Sequence, residues 1–358
     1  MQLMKLSQGN AAAGYKHFSK LAIHNGMAYW TGHVALKPGD VYSQTKSVLT
    51  RYDVFLPAYG QKKEHVLHAL AFIRDIGQYD AFLKAWNEWF SDGTPPPALT
   101  CVEADLAPGH NVEISFIVGY AKDGTAVQIT RGRKEAAGYS EYTLHNSFLR
   151  FSAKTAREKG GVLAQTKDII RQYEAAFAKL NVGKRHLLMA NFYMRDISKL
   201  DEAMGVWGAW AGEHAPALMA QQSAVPGDGA LAISLVAAAE PDPRIARFET
   251  ENGRSACVKY NHVAYLSAQA ADGSGAANEE GGEVFAKIDA LLERAGLAKQ
   301  NVYYNQMVGN NFPGFNAFDV GAFQEWSVAG EIYPAAIGFA SPPPCNKSVT
   351  VAVTAAYE

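Results

Sequence analysis

Three stretches of this 358-residue chain keep one spacing. Asn25, Asn146 and Asn261 each stand in a polar turn before an apolar run, in HNGMAYWTGH, HNSFLRFSAK and NHVAYLSAQ. Nineteen residues after each asparagine come Gln44, Gln165 and Glu280, and fifty residues after each come Asp75, Asp196 and Asn311. A Pro-Ala pair follows in every copy, as Pro97-Ala98, Pro216-Ala217 and Pro334-Ala335. Two spacings held over three copies define one unit of about 115–120 residues written three times, which restricts the fold before any local reading. The expected units are residues 1–121, 122–241 and 242–358, with composition shifts at the links Lys122–Ala137 and Ala239–Ala246.

Within the first unit, Met27–Thr31 reads as a short buried strand entered through the Asn25-Gly26 turn. Val48, Leu49, Tyr52, Phe55, Leu56 and Tyr59 recur at helical spacing, with Pro57 distorting the last turn and Gly60 closing it. Val66–Ile73 is a second strand, and Phe82, Leu83, Trp86, Trp89 and Phe90 mark a second one-sided helix. Leu99–Glu103 and Val112–Val118 supply two more strands. The second unit repeats the helix stripes with Ile169, Ile170, Tyr173 and Phe177, then Trp207 and Trp210. The third uses Val284, Phe285, Ile288, Leu291 and Leu292, then Phe323 and Trp326. Strands interleaved with one-sided helices give an α+β unit whose helices cover one sheet face. Three such sheets bury their other faces against one another around a pseudo-threefold axis.

Composition narrows the function classes. A net charge of −2 gives no global reason to bind nucleic acid or an anionic membrane, and Arg131-Gly132-Arg133-Lys134 reads as a solvated linker. Cys101, Cys257 and Cys345 are an odd count without CxxC spacing, against both a disulfide framework and a zinc site. MQLMKLSQGN lacks the apolar core of a signal peptide, and no apolar run approaches ~18 residues. A cytoplasmic protein is the expectation. Phosphate-loop, GxSxG and metal-ligand spacings do not occur, so neither a metal nor another cofactor is expected.

The segments YWTGH (Tyr29–His33), FIRDIGQYDAF (Phe72–Phe82), PPALTCVEADLAPG (Pro96–Gly109) and NVEISFIVGYA resemble the RidA (YjgF) family. FSAK, FYMRDISKLDEA and HAPAL carry the resemblance into the second unit, and YLSAQ and YPAA into the third. The implied fold is three tandem chorismate-mutase-like units forming an intramolecular pseudo-trimer, sheets inside and helices outside, with ligand clefts between repeats. The implied activity is cofactor-independent hydrolysis or deamination of a small imine, enamine or nitrogen-containing ring compound. The wider superfamily adds chorismatases and ring-opening cyanuric acid hydrolases, and a catalytically lapsed binder of small molecules is the other alternative. The expected partner is a small-molecule ligand, not nucleic acid or membrane, with the chain either a monomeric pseudo-trimer or part of a higher assembly.

The resemblance also shows departures. Imine-hydrolysing members carry an arginine after the Pro-Ala pair, where its fork holds a carboxylate; this chain has Leu99, Leu218 and Ala336. At the place of their last-strand glutamate stand Ser115, Ser234 and Ala352. Remaining candidates for catalysis are Lys154, as base or amine nucleophile, Glu103, as acid/base on the face of Leu99 and Cys101, and Tyr139, aligned with Phe18 and Arg254 at the family's tyrosine position. Substrate contacts are expected from Arg254, Ser152, Ser267, Cys101 and His33. Alternation puts Arg150, Ser152 and Lys154 on one strand face, two cations and a hydroxyl suited to an anion. Each also has a plain structural reading: Arg254 as an exposed turn residue, Lys154 as an ion-paired surface cation, Glu103 as a partner of Arg74. His33 reads equally as a structural histidine, and Cys101 as a small apolar group. Asp75 and Asp196 recur at equivalent places, which points to framework hydrogen bonding.

Overall fold

The computed structural model describes residues 3–7, 17–121 and 125–358. Its mixed α+β architecture repeats one order of elements. In the first span a hairpin, Ser19–His24 and Met27–Trp30, turns at Asn25 and Gly26, both at positive φ. The helix Val41–Ala58 starts where Asp40 accepts from the Ser43 amide and stops before Gly60, at φ +68°. Val66–Ile73 then runs parallel to Ala98–Glu103 and antiparallel to Val112–Gly119, with the helix Tyr79–Trp89 between them in sequence. Residues 142–238 repeat this with Tyr142–His145, Phe148–Phe151, the helix Val162–Leu180, Leu187–Met194, the helix Leu200–Ala211, Ala217–Gln222 and Leu231–Ala238. Residues 254–356 repeat it again, from Arg254–Tyr260 to Val349–Ala356. The central strands are buried and mostly apolar because both of their faces are covered. One face packs under helices, around Trp86, Trp207 and Trp326, and the other faces a shared centre. Trp86 and Trp207 are fully buried, so truncating either to alanine costs about 3–5 kcal/mol.

The recurring polar residues are joints. Gln44 accepts from the Asn111 amide at 2.6 Å and Gln165 from the Ala230 amide at 2.8 Å; Glu280 accepts from the Ser348 amide at 2.6 Å. Each ties the start of a long helix to the loop before the last strand. Asp75, Asp196 and Asn311 accept from the amides of Gly77, Ser198 and Gly314 at 2.8–3.0 Å, capping the next turn. The three asparagines bond to one another in a ring: Asn25 to the Asn261 carbonyl, Asn261 to that of Asn146, and Asn146 to that of Asn25.

Two local expectations need correction. Arg131 is not a solvated linker residue: it sits in the strand Thr130–Arg131 and donates to the carbonyls of Glu64 and Val66. Arg247 does the same to Arg185 and Leu187. Residues 122–124 of the first link lie outside the described residues, as do 1–2 and 8–16 of the first expected unit. Second, Arg150, Ser152 and Lys154 do not share a face. Arg150 pairs with Val236 but Lys154 pairs with Ile233, so the register slips by one residue at Ser152-Ala153. Such a bulge inverts the alternation beyond it. Arg150 therefore points to the centre, while Lys154 lies 5.5 Å from the ring of the helix residue Tyr173.

The third span departs from the others at its second helix, where Phe312–Phe318 and Gln324–Ala329 flank a π-helical turn, Asp319–Phe323. Among the described residues no helix is long and apolar enough to cross a membrane.

Candidate functional site

The strand after each Pro-Ala pair meets the bulge of another span at a hydrogen-bonded junction. At the first junction the Ser140 amide donates to the Pro97 carbonyl at 2.9 Å. Ser152 Oγ accepts from the Leu99 amide at 2.8 Å and donates to the Ser140 carbonyl at 2.7 Å. At the second, Ser255 donates to Pro216 at 2.8 Å, and Ser267 Oγ accepts from the Leu218 amide at 2.8 Å and donates to the Ser255 carbonyl at 2.7 Å. At the third, Ser19 donates to Pro334 at 2.9 Å, Gly32 to Ala336 at 3.0 Å, and the Thr31 hydroxyl to the Ala336 carbonyl. Ser152 and Ser267 thus stand at the junctions, and in both the hydroxyl bridges two backbone segments.

The first junction gathers Cys101, Tyr79 and Tyr139. The two phenols approach each other beside the thiol. Burial pushes the Cys101 thiol and both phenols up, so all three keep their protons. They offer hydrogen-bond donors and no thiolate nucleophile. Glu103 turns away to accept from the Ile76 amide at 2.9 Å, as Gln222 does from Ile197 at 3.2 Å. Gln222 is thus its counterpart in bonding. Arg74, read from sequence as a partner for Glu103, pairs instead with Asp105 at 2.5 Å. Lys154 forms an ion pair with Glu141 at 2.9 Å, both side chains largely buried.

At the second junction Leu218 and Ala220 are buried apolar residues. Arg254 is exposed at the first position of its strand, opposite Glu251 across the hairpin turn. Tyr139, Cys101, Ser152 and Ser267 thus stand at these two junctions, Arg254 is exposed, and Lys154 and Glu103 are held by other partners.

The third junction holds what sequence reasoning missed. Glu113, on the last strand of the first span, is buried with its carboxyl against Gly32: a Cβ added at Gly32 would fall 1.8 Å from Glu113 Oε1. Burial, reinforced by the nearby Asp319, pushes the Glu113 carboxyl up to about 8. Asp319 belongs to the π-helical turn, a geometry that recurs at functional sites, and its Oδ1 lies 3.1 Å from His17 Nε2. His33 is on the helix side, packed against Trp30, Tyr52 and Phe55, and burial lowers it to about 3, so the ring is neutral at physiological pH. The carboxyl poised near neutrality at this junction is thus Glu113. A signal was present: Glu113 replaces Ala232 and Thr350 of the other copies, and Gly32 replaces Ala153 and Ala268. The larger acid and the smaller neighbour change together.

Among the described residues no group of three histidine, cysteine or acidic side chains is placed to hold a metal ion. Cys101 and Cys257 are buried free thiols and Cys345 an exposed one.

A family model described as Endoribonuclease L-PSP matches residues 8–119. A RutC family protein of Haemophilus ducreyi is 36% identical over 99 residues, spanning 27% of this chain and 84% of the relative. The chain belongs to the RutC family. A second RutC family protein, from Haemophilus influenzae, is 39% identical over 102 residues, 28% of this chain and 87% of its own length. Among solved structures, a YjgF family member from Neisseria meningitidis shares 30% identity, covering 34% of this chain and 98% of its own, with a TM-score of 0.30. A chorismatase structure covers 61% of this chain and 79% of its own at 14% identity and a TM-score of 0.46. The RutC relatives are thus about one third the length of this chain.

Proposed function

We propose that this chain is a RidA-like hydrolase or deaminase acting on a small imine, enamine or nitrogen-containing ring compound in a cleft between repeats. Three repeats, bounded near residues 121 and 241, are read as an intramolecular pseudo-trimer; the asparagine ring and the three parallel junctions support that arrangement. The observation that carries the function is the Glu113 carboxyl, held protonated up to about pH 8 at the third junction beside Asp319. A carboxylic acid kept neutral by its surroundings is a general acid.

The chemistry follows from that state. Glu113 transfers its proton to the imine nitrogen, water adds to the carbon, and the resulting carboxylate removes a proton from the added water. That step restores the acid, which then protonates the amino nitrogen; ammonia leaves as the carbonyl forms, and the Glu113 carboxylate takes the hydroxyl proton, which regenerates the acid. Because Leu99, Leu218 and Ala336 stand where an arginine clamp would be, the favoured substrates lack a carboxylate or are cyclic. That same lack supports the second reading, a binder of small molecules without turnover.

The test is ammonia release from freshly generated imines and enamines, with and without a carboxylate. Turnover that falls about 10²–10⁴-fold in Glu113→Gln and survives in Cys101→Ala supports the third junction as the working cleft. Turnover unaffected by Glu113→Gln overturns the assignment, and none with any substrate favours the binder.

A further inference from the structure

At the centre of the molecule, equivalent positions of the three hairpins bring together Tyr29, Arg150 and Tyr265, each four residues after its turn asparagine. All three are buried. Arg150 Nη2 donates to the Tyr29 hydroxyl at 3.1 Å and lies 3.3 Å from Met27 Sδ, and the guanidinium carbon is 5.7 Å from the Tyr29 ring centre. The Nε of Arg150 is buried and has no hydrogen-bond partner. Among the described residues no carboxylate forms an ion pair with it. The nearest titratable groups are the phenols of Tyr29, Tyr265 and Tyr303, with His68 on the same cavity wall, lowered to about 3 by burial and by Arg150 itself, so neutral.

Tyr29, His68, Arg150 and Tyr265 line a central cavity of about 60 Å³. A single water needs about 10–15 Å³, so the space admits a group of several heavy atoms. Its wall also presents Asn191, whose Oδ1 is buried and unpartnered, and the hydroxyl-bearing Ser115 and Ser234. A guanidinium removed from water without a counter-charge is costly, and buried charges are paired almost without exception.

We infer that this cavity is a binding site for a small planar monoanion of carboxylate chemistry, formate- to acetate-sized, held by the Arg150 guanidinium and the surrounding phenols. The reasoning is chemical fit. A carboxylate matches the planar donor fork of arginine and neutralises its charge. Phenol hydroxyls donate to the same oxygens without adding charge, and the neutral imidazole of His68 leaves Arg150 as the one positive centre at the cavity wall. The cavity size excludes larger dianions. The site is separate from the Glu113 junction, and its occupancy does not depend on the catalytic reading above.

The full chain, equilibrated with ¹³C-labelled formate and then with labelled acetate, should show a bound resonance saturating at one anion per chain. Arg150→Met keeps the length of the side chain and removes the charge; it should weaken binding about tenfold or more. Glu113→Gln should bind as the wild type does. If Arg150→Met does not fold, Tyr29→Phe and Tyr265→Phe decide, each expected to weaken binding several-fold. Absence of a saturable bound signal in the wild type overturns the inference. So does undiminished binding in folded Arg150→Met, or in both tyrosine variants.

Discussion

Asn146 donates through Nδ2 to the backbone carbonyl of Asn25 at 2.7 Å, across 121 residues of sequence. The same bond runs from Asn25 to Asn261 at 2.5 Å and from Asn261 to Asn146 at 3.2 Å, so three hairpin turns hold one another in a cycle. All three asparagines have φ between 43° and 48°, a region that asparagine tolerates better than most side chains. Asn146→Ala loses both the bond and the backbone preference and should cost about 2 kcal/mol in urea denaturation. Asn146→Gly keeps the backbone preference and should cost about half as much. Equal losses would mean that the left-handed turn contributes nothing.

Ser152→Ala strips the Leu99 amide and the Ser140 carbonyl of their shared partner in a buried place. The expected loss is about 1–3 kcal/mol of stability, with a similar figure for Ser267→Ala. A change within about 0.5 kcal/mol for either, measured by urea denaturation, would show that the junction is not held by its hydroxyl.

Lys154 and Glu141 form a largely buried pair, so removing one charge strands the other. Lys154→Met should destabilise by about 3–5 kcal/mol, and the double change with Glu141→Gln should recover most of the loss. Recovery of stability together with unchanged turnover would confirm a structural lysine. Turnover lost in the double variant, with folding intact, would return Lys154 to the catalytic candidates.

Glu113 sets a pH dependence whose sign can be worked out. Its carboxyl moves from 4.5 in the unfolded chain to about 8 in the fold. The folded state therefore binds the proton more tightly. Its stabilising share is complete below pH 4.5 and declines as the pH rises through 8. His33, lowered from 6.5 to about 3, works the other way, losing stability as the pH falls from 6.5 toward 3. Lys5, lowered from 10.5 to about 8, gains stability as the pH rises above 8. The difference in Tm between Glu113→Gln and wild type isolates the carboxyl, and it should shift in favour of the variant between pH 5 and about 8. A constant difference across that window would contradict a buried neutral Glu113.

Much of the fold was legible because the repeat fixes it. Val66–Ile73 is a strand at the residues its apolar run marks, and Gly60 closes the first helix where the pattern puts it. The polar residues of the recurring spacing proved to be caps and ties, as recurrence at equivalent places suggests. The site was less legible, for two reasons. Simple alternation carries Lys154 to the face of Arg150, but the bulge at Ser152-Ala153 reverses it, and nothing local in FSAK announces a slipped register. The other reason is that Glu113 and Asp319 are 206 residues apart in sequence, and the Glu113 carboxyl is raised only by its burial and by Asp319 beside it. Gly32 beside Glu113 was the one readable trace, a compensating pair visible only when the copies are compared.

The arginine at the centre has a consequence for symmetry. Three side chains that meet at one point and are all cationic would repel one another. Here the three equivalent positions belong to one chain and differ, so a single guanidinium sits between two phenols. The centre is therefore polarised: its charge lies to one side, and a group entering it meets a direction as well as a shape.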